Sequence, residues 1–119
     1  MKGTDRRLLP RKIASQRIQV TDINTERHLG EVVNLTSEGL MIISNNPVEG
    51  NLVFQLDLEL KTPCQGHEHL RLGAESLWCS VANEPQRFWA GFRIIDVSLD
   101  TVELIESLID GWDLDETMH

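Results

Sequence analysis

The clearest pattern in this chain is LVFQLDLEL (52–60), where Leu52, Phe54, Leu56, Leu58 and Leu60 alternate with residues of the opposite face. A period of two over nine positions predicts a strand with one buried face. GEVVNLTSEGLMIIS (30–44) reads as two apolar, β-branched runs joined by NLTSEG, in which Gly39 offers a positive φ and Asn34, Thr36 and Ser37 offer local backbone bonds. A hairpin or tight corner is expected there. IASQRIQV (13–20) carries a weaker alternation, with Ala14, Gln16, Ile18 and Val20 on one side and Ile13, Ser15, Arg17 and Gln19 on the other. LRLGAESLWCSV (70–81) and RFWAGFRIIDV (87–97) supply two more strands around the turn ANEPQ, with NPVEGN (46–51) as a further turn and KTPCQGHEH (61–69) as a polar loop.

From Asp100 the period changes. Val102, Ile105, Leu108, Ile109 and Trp112 fall at helical spacing, Asp100 with Glu103 reads as a capping box, Ser98 lies just upstream, and the helix should end near Gly111. Short strands without intervening helices, followed by one helix, predict a mostly β protein: a six-stranded antiparallel β-barrel with a C-terminal α-helix packed on it. The expected organisation is a flexible basic arm over 1–12, the barrel and helix over 13–112, and an acidic tail over 113–119. Trp78, Phe88, Trp89 and Phe92 are assigned to the barrel core.

Charge sharpens this picture. Residues 1–30 hold seven basic and three acidic residues (+4), and the remainder holds four basic and 16 acidic (−12), which together give the net −8. A polyanionic duplex would meet a repulsive body behind one basic arm, so nucleic-acid polymers are excluded as general partners and a small anion fits better. No apolar run reaches the length of a membrane span, and no apolar stretch follows the basic N-terminus as in a secretory signal. A cytoplasmic protein without membrane insertion is expected, with Cys64 and Cys79 as free thiols.

Two motifs carry candidate chemistry. Arg7 and Arg11 stand four apart in DRRLLPRK (5–12), but Pro10 lacks an N–H and pushes Leu9 toward extended geometry, so the spacing belongs to a loop. Two guanidiniums on such an arm can grip phosphate bidentately, read the O6/N7 edge of guanine or stack on a purine; taken alone, they also read as a solvated basic tail. Asn34, Thr36 and Gly39 form N-x-T-x-x-G at a strand end. There an amide and a hydroxyl two residues apart share a face and can bond the edge of a base, or can serve as turn residues satisfying their own backbone.

In this order, R-x-x-x-R (Arg7, Arg11), N-x-T-x-x-G (Asn34, Thr36, Gly39), a strand bearing Trp78 and the segment WAGFRIIDVS before a helix, the chain resembles the PilZ domain over nearly its whole length. The resemblance implies a small β-barrel that acts as a receptor for cyclic di-GMP, with no cofactor. Arg7 and Arg11 would then contact phosphate and guanine, Asn34, Thr36 and Gly39 would form the other guanine-facing surface, and Arg6 would occupy a position associated in the family with an intercalated ligand dimer. Thr36 departs from the usual serine; its hydroxyl survives, but the added methyl crowds the ligand. The resemblance also implies a protein target, in motility, biofilm or envelope functions, with a ligand-free interaction adaptor as the alternative.

The remaining candidates are weaker. Cys64, His67 and His69 offer three zinc ligands but lack a fourth and the paired C-x-x-C spacing, so no metal site is expected. Nothing in the sequence pairs Cys79 with a base, and no catalytic set is visible, so an enzyme is not expected.

Overall fold

The computed structural model describes residues 14, 16–83 and 86–112; the expected basic arm and acidic tail lie outside these residues. Six strands, β1 (Ile18–Asp22), β2 (Arg27–Leu35), β3 (Gly39–Ser44), β4 (Val53–Cys64), β5 (His67–Val81) and β6 (Phe88–Asp96), precede one helix, α1 (Leu99–Asp110). The strands close into a barrel in the order β1-β2-β3-β6-β5-β4, with every neighbouring pair antiparallel. The predicted fold class is borne out. Among the described residues no helix is long and apolar enough to cross a membrane.

Alternation fills the interior. Ile18 and Val20 of β1, Ile42 of β3, Leu56 and Leu58 of β4, Leu70 and Leu72 of β5 and Phe92 of β6 are buried, and Phe92 meets Phe54 edge-to-face with ring centroids 5.7 Å apart. Each such side chain contributes roughly 1.5–3 kcal/mol on full burial. Leu52, expected on the same face as these leucines, is exposed because it precedes the strand and belongs to the crossover from β3 to β4.

That crossover joins two strands that are not neighbours, so residues 45–52 must pass across one end of the barrel. Val48 is buried there, and Ser76, a wholly buried polar residue, fastens the segment. Its hydroxyl accepts from the Leu52 amide at 3.1 Å and donates to the Glu49 carbonyl at 2.7 Å, while its backbone exchanges bonds with Asn51 and Leu52. A hydroxyl is tolerated in this core because both of its hydrogen-bonding roles are used.

Several expectations about boundaries need correction. The strand expected over 13–20 begins only at Ile18 and runs to Asp22. The polar segment 61–69 is no loop: β4 continues to Cys64 and β5 starts at His67, separated only by Gln65 (φ 51°) and Gly66 (φ 84°). Two consecutive positive φ values make the tight hairpin turn whose twist matches the flanking strands, so polar side chains there decorate a ribbon rather than ending it. The cap of α1 is Ser98, whose hydroxyl accepts from the Thr101 amide, in place of the expected Asp100–Glu103 box. Asp100 instead adds negative charge to the first turn, where the helix dipole favours it. Leu104, Ile105, Leu108 and Trp112 bury the helix against the barrel core, and Gly111 ends it.

Candidate functional site

Asn34 ends up on the outer surface through a bulge. In β2, Val32 is buried opposite Ile42, and strict alternation would send Asn34 inward as well. The register shifts between Val32 and Asn34, so Val33 is the extra residue and Asn34 faces Met41, which points outward between the buried Leu40 and Ile42. A second bulge, at Leu77 in β5, does the same for Trp78. Ser76 is buried opposite Phe92, and after the shift Trp78 pairs with Gly91 on the outer side.

The two bulges align one row across four strands. Asn34 pairs with Met41, Met41 with Gly91 and Gly91 with Trp78. With strands about 4.8 Å apart, the row covers roughly 14 Å of barrel surface. It carries an amide, a thioether, a bare backbone and an indole. Gly91 is required here, since a β-carbon on it would come within 2.3 Å of the Trp78 indole. Trp78 itself is 44% exposed, a correction to its assignment as core. Phe92 is buried as expected, while Phe88 and Trp89 are only half-buried.

Thr36 and Gly39 form the turn at one end of this row. The Glu38 and Gly39 amides both donate to Thr36 Oγ1 at 3.1 Å, the Thr36 amide donates to the Gly39 carbonyl, and the Ile94 amide of β6 ties down the Glu38 carbonyl. The Thr36 hydroxyl is therefore engaged by its own turn. Gly39 does not adopt the expected positive φ. Its lack of a side chain serves a close approach instead, because a β-carbon would lie 2.6 Å from the Phe92 carbonyl oxygen. Leu35, between Asn34 and Thr36, points into the barrel, so the amide and the turn share the outer side.

The next row begins at Gly39, which pairs with Arg93, and Arg93 pairs with Glu75. Arg93 Nη2 donates to Glu75 Oε1 at 2.6 Å. On the other flank of the Asn34 row, a groove of about 330 Å³ is lined by Val33, Ile43, Ala82, Asn83, Arg87 and Trp89. The opposite side of the barrel differs in kind. There Gln19, Glu59 and His69 form one outer row, and Asp57 accepts from Arg71 Nε at 3.2 Å with His69 Nδ1 2.9 Å away.

Arg6, Arg7 and Arg11 fall outside the described residues. The chain enters the barrel beside the site, however: the Ala14 amide donates to the carbonyl of the bulged Val33 at 3.0 Å, one residue from Asn34. The three residues considered as zinc ligands do not converge. The Cys64 thiol approaches the Leu104 carbonyl at 3.8 Å, and His69 turns to Asp57. Among the described residues no group of three metal-ligating side chains is placed to hold an ion.

Sequence reasoning missed Met41, Gly91 and Arg93, and it put Trp78 on the wrong side. Alternation along Leu70, Leu72, Ala74 and Ser76 sends Trp78 inward, and nothing in the sequence marks Leu77 as an extra residue. A usable signal lies in β6, where Ala90, Phe92 and Ile94 face the core and leave Gly91 as a gap on the outer face for an aromatic ring.

No family model matches the chain, and a search of curated proteins gives no significant match. Solved structures do match. The inhibitor of motility MotI/DgrA of Bacillus subtilis superposes with a TM-score of 0.67 at 11% identity, covering 88% of this chain and 49% of its own. The PilZ domain of YcgR from Escherichia coli, solved with c-di-GMP, superposes with a TM-score of 0.61 at 15% identity, covering 84% of this chain and 86% of its own. This chain thus spans about half the length of MotI/DgrA and most of the YcgR PilZ domain. Strand order, barrel closure and the C-terminal helix together make this fold that of a PilZ-like domain.

Proposed function

We propose that this chain is a cyclic di-GMP receptor domain. The observation that carries the reading is the outer row Asn34–Met41–Gly91–Trp78, bordered by the Thr36–Gly39 turn and lying beside the Ala14–Val33 backbone bond. A cyclic dinucleotide presents two purine bases and two phosphodiester anions. Asn34 offers an amide for the edge of one guanine, and the exposed indole of Trp78 offers a flat apolar face for a base to stack on. Arg7 and Arg11 supply the charge for the phosphates and can read guanine O6 and N7.

Chain length permits this. At no more than about 3.6 Å per residue, Arg11 lies within roughly 11 Å of Ala14, and Arg7 within roughly 25 Å. Ala14 is bonded beside Asn34, so both guanidiniums are within reach of the whole row. Arg6 belongs to the same site and governs whether one ligand or an intercalated pair is held. The acidic remainder of the chain repels longer polyanions, which leaves a small ligand neutralised by the arm as the favoured anion. Binding then closes the arm over the barrel face and presents a changed surface to a protein target, without any catalytic step.

A second reading, a ligand-free adaptor that docks a protein directly, draws on the exposed apolar side chains Leu77, Trp78 and Val81 along β5. Isothermal titration calorimetry with cyclic di-GMP, using GTP and cyclic di-AMP as controls, separates the two. Selective binding at micromolar or lower concentration supports the receptor. No heat, together with an unchanged NMR spectrum, leaves the adaptor.

A further inference from the structure

We infer that Arg93 is a phosphate-binding residue supplied by the barrel itself, and that Glu75 is an internal competitor that sets the affinity of the site. The inference rests on the receptor reading above and adds two residues to it. Arg93 lies one row from Gly91 and Trp78 on the same outer face, and its partner on the β3 side is Gly39, which has no side chain. No side chain of a β3 partner therefore flanks the guanidinium on the side of the Thr36–Gly39 turn, and among the described residues its anchor lies on the other flank. That anchor is Glu75 at 2.6 Å, with the Glu75 side chain 28% exposed and that of Arg93 61% exposed.

Charge makes this pair consequential. The chain after residue 30 carries a net −12, so a dianionic ligand arriving at the barrel meets repulsion everywhere except at a local cation. Arg71 is held by Asp57 on the opposite side of the barrel, while Arg17, held by Glu31, and Arg87, in the groove, lie on the other flank of the Asn34 row from the Thr36–Gly39 turn. Arg93 is placed to take a phosphate oxygen in a charge-assisted bond, but only by sharing or leaving the carboxylate it already serves. Glu75 holds the guanidinium in position and also repels the ligand. An exposed ion pair of this kind contributes little to fold stability, so its two members can be altered without unfolding the barrel.

The test is calorimetric titration of cyclic di-GMP into the full chain and three variants, with thermal unfolding as a check on folding. Arg93→Ala should weaken binding about tenfold with little change in melting temperature. Glu75→Gln, which keeps a hydrogen-bond acceptor but removes the competing charge, should tighten binding several-fold. In the Arg93→Ala background the Glu75→Gln gain should shrink, because the two act on one another. A wild-type protein that binds while Arg93→Ala binds equally well overturns this inference and leaves the receptor reading intact. Equal affinity of Glu75→Gln and wild type overturns the competitor role. A wild-type protein that does not bind overturns both readings.

Discussion

The indole of Trp78 lies across Gly91 so closely that the glycine's missing β-carbon is what lets the ring rest on the barrel wall. Gly91→Ala should therefore lift the ring, at a cost of about 1–3 kcal/mol for an overpacked contact. Urea denaturation should show the loss, and the tryptophan emission should shift. A variant with wild-type stability and unaltered fluorescence would mean that the indole does not pack there. In the receptor reading, the same substitution also weakens cyclic di-GMP binding.

Ser76→Ala removes the acceptor used by the Leu52 amide and the donor used by the Glu49 carbonyl, inside a segment that crosses one end of the barrel. Leaving buried polar groups unpaired costs about 1–3 kcal/mol. The denaturation midpoint should fall with an unchanged slope, and hydrogen exchange should rise first over residues 48–52. Uniform exchange along the chain would show that Ser76 does not fasten the crossover.

Thr36→Ser keeps the oxygen that accepts from the Glu38 and Gly39 amides and removes only a methyl group. Its stability should match the wild type, and cyclic di-GMP affinity should be preserved or improved. Thr36→Ala leaves both amides to solvent and should lose about 1 kcal/mol. A marked drop in affinity for the serine variant would assign the methyl a contact of its own.

Arg7→Ala and Arg11→Ala each remove a charged hydrogen bond in the proposed complex, worth about 1.5–3 kcal/mol, so each should weaken cyclic di-GMP binding roughly tenfold or more. Unaltered binding by either variant would remove that arginine from the site. If Arg7→Ala abolished capture of a protein partner with no nucleotide present, the adaptor reading would gain.

Much of the barrel was legible in the sequence because burial enforces alternation. Leu56, Leu58 and Leu60 announce β4, and the helical spacing of Ile105, Leu108 and Trp112 announces α1. What escaped were the places where alternation is broken on purpose. A bulge adds one residue without changing composition, so Val33 and Leu77 look like ordinary strand residues while they reverse the facing of everything after them. The N-x-T-x-x-G motif was visible, but the reason for its glycine was not. Local pattern suggests backbone freedom at Gly39, whereas the constraint comes from Phe92, far along the chain. The hairpin at Gln65–Gly66 was hidden by polar side chains whose strands extend beyond the core.

The seam between β3 and β6 also governs how this surface comes into being during folding. Met41 and Gly91, like Gly39 and Arg93, are brought side by side from distant parts of the chain, whereas β1–β2, β2–β3, β4–β5 and β5–β6 are local hairpins that form first. An unfinished chain can hold all four hairpins and still lack the row that joins Asn34 to Trp78. In the receptor reading, a ligand bound across that row grips both sides of β3–β6, one of the two long-range seams of the barrel. It should therefore raise the melting temperature in proportion to the logarithm of its concentration, and slow the reopening of β3 from β6 ahead of any hairpin.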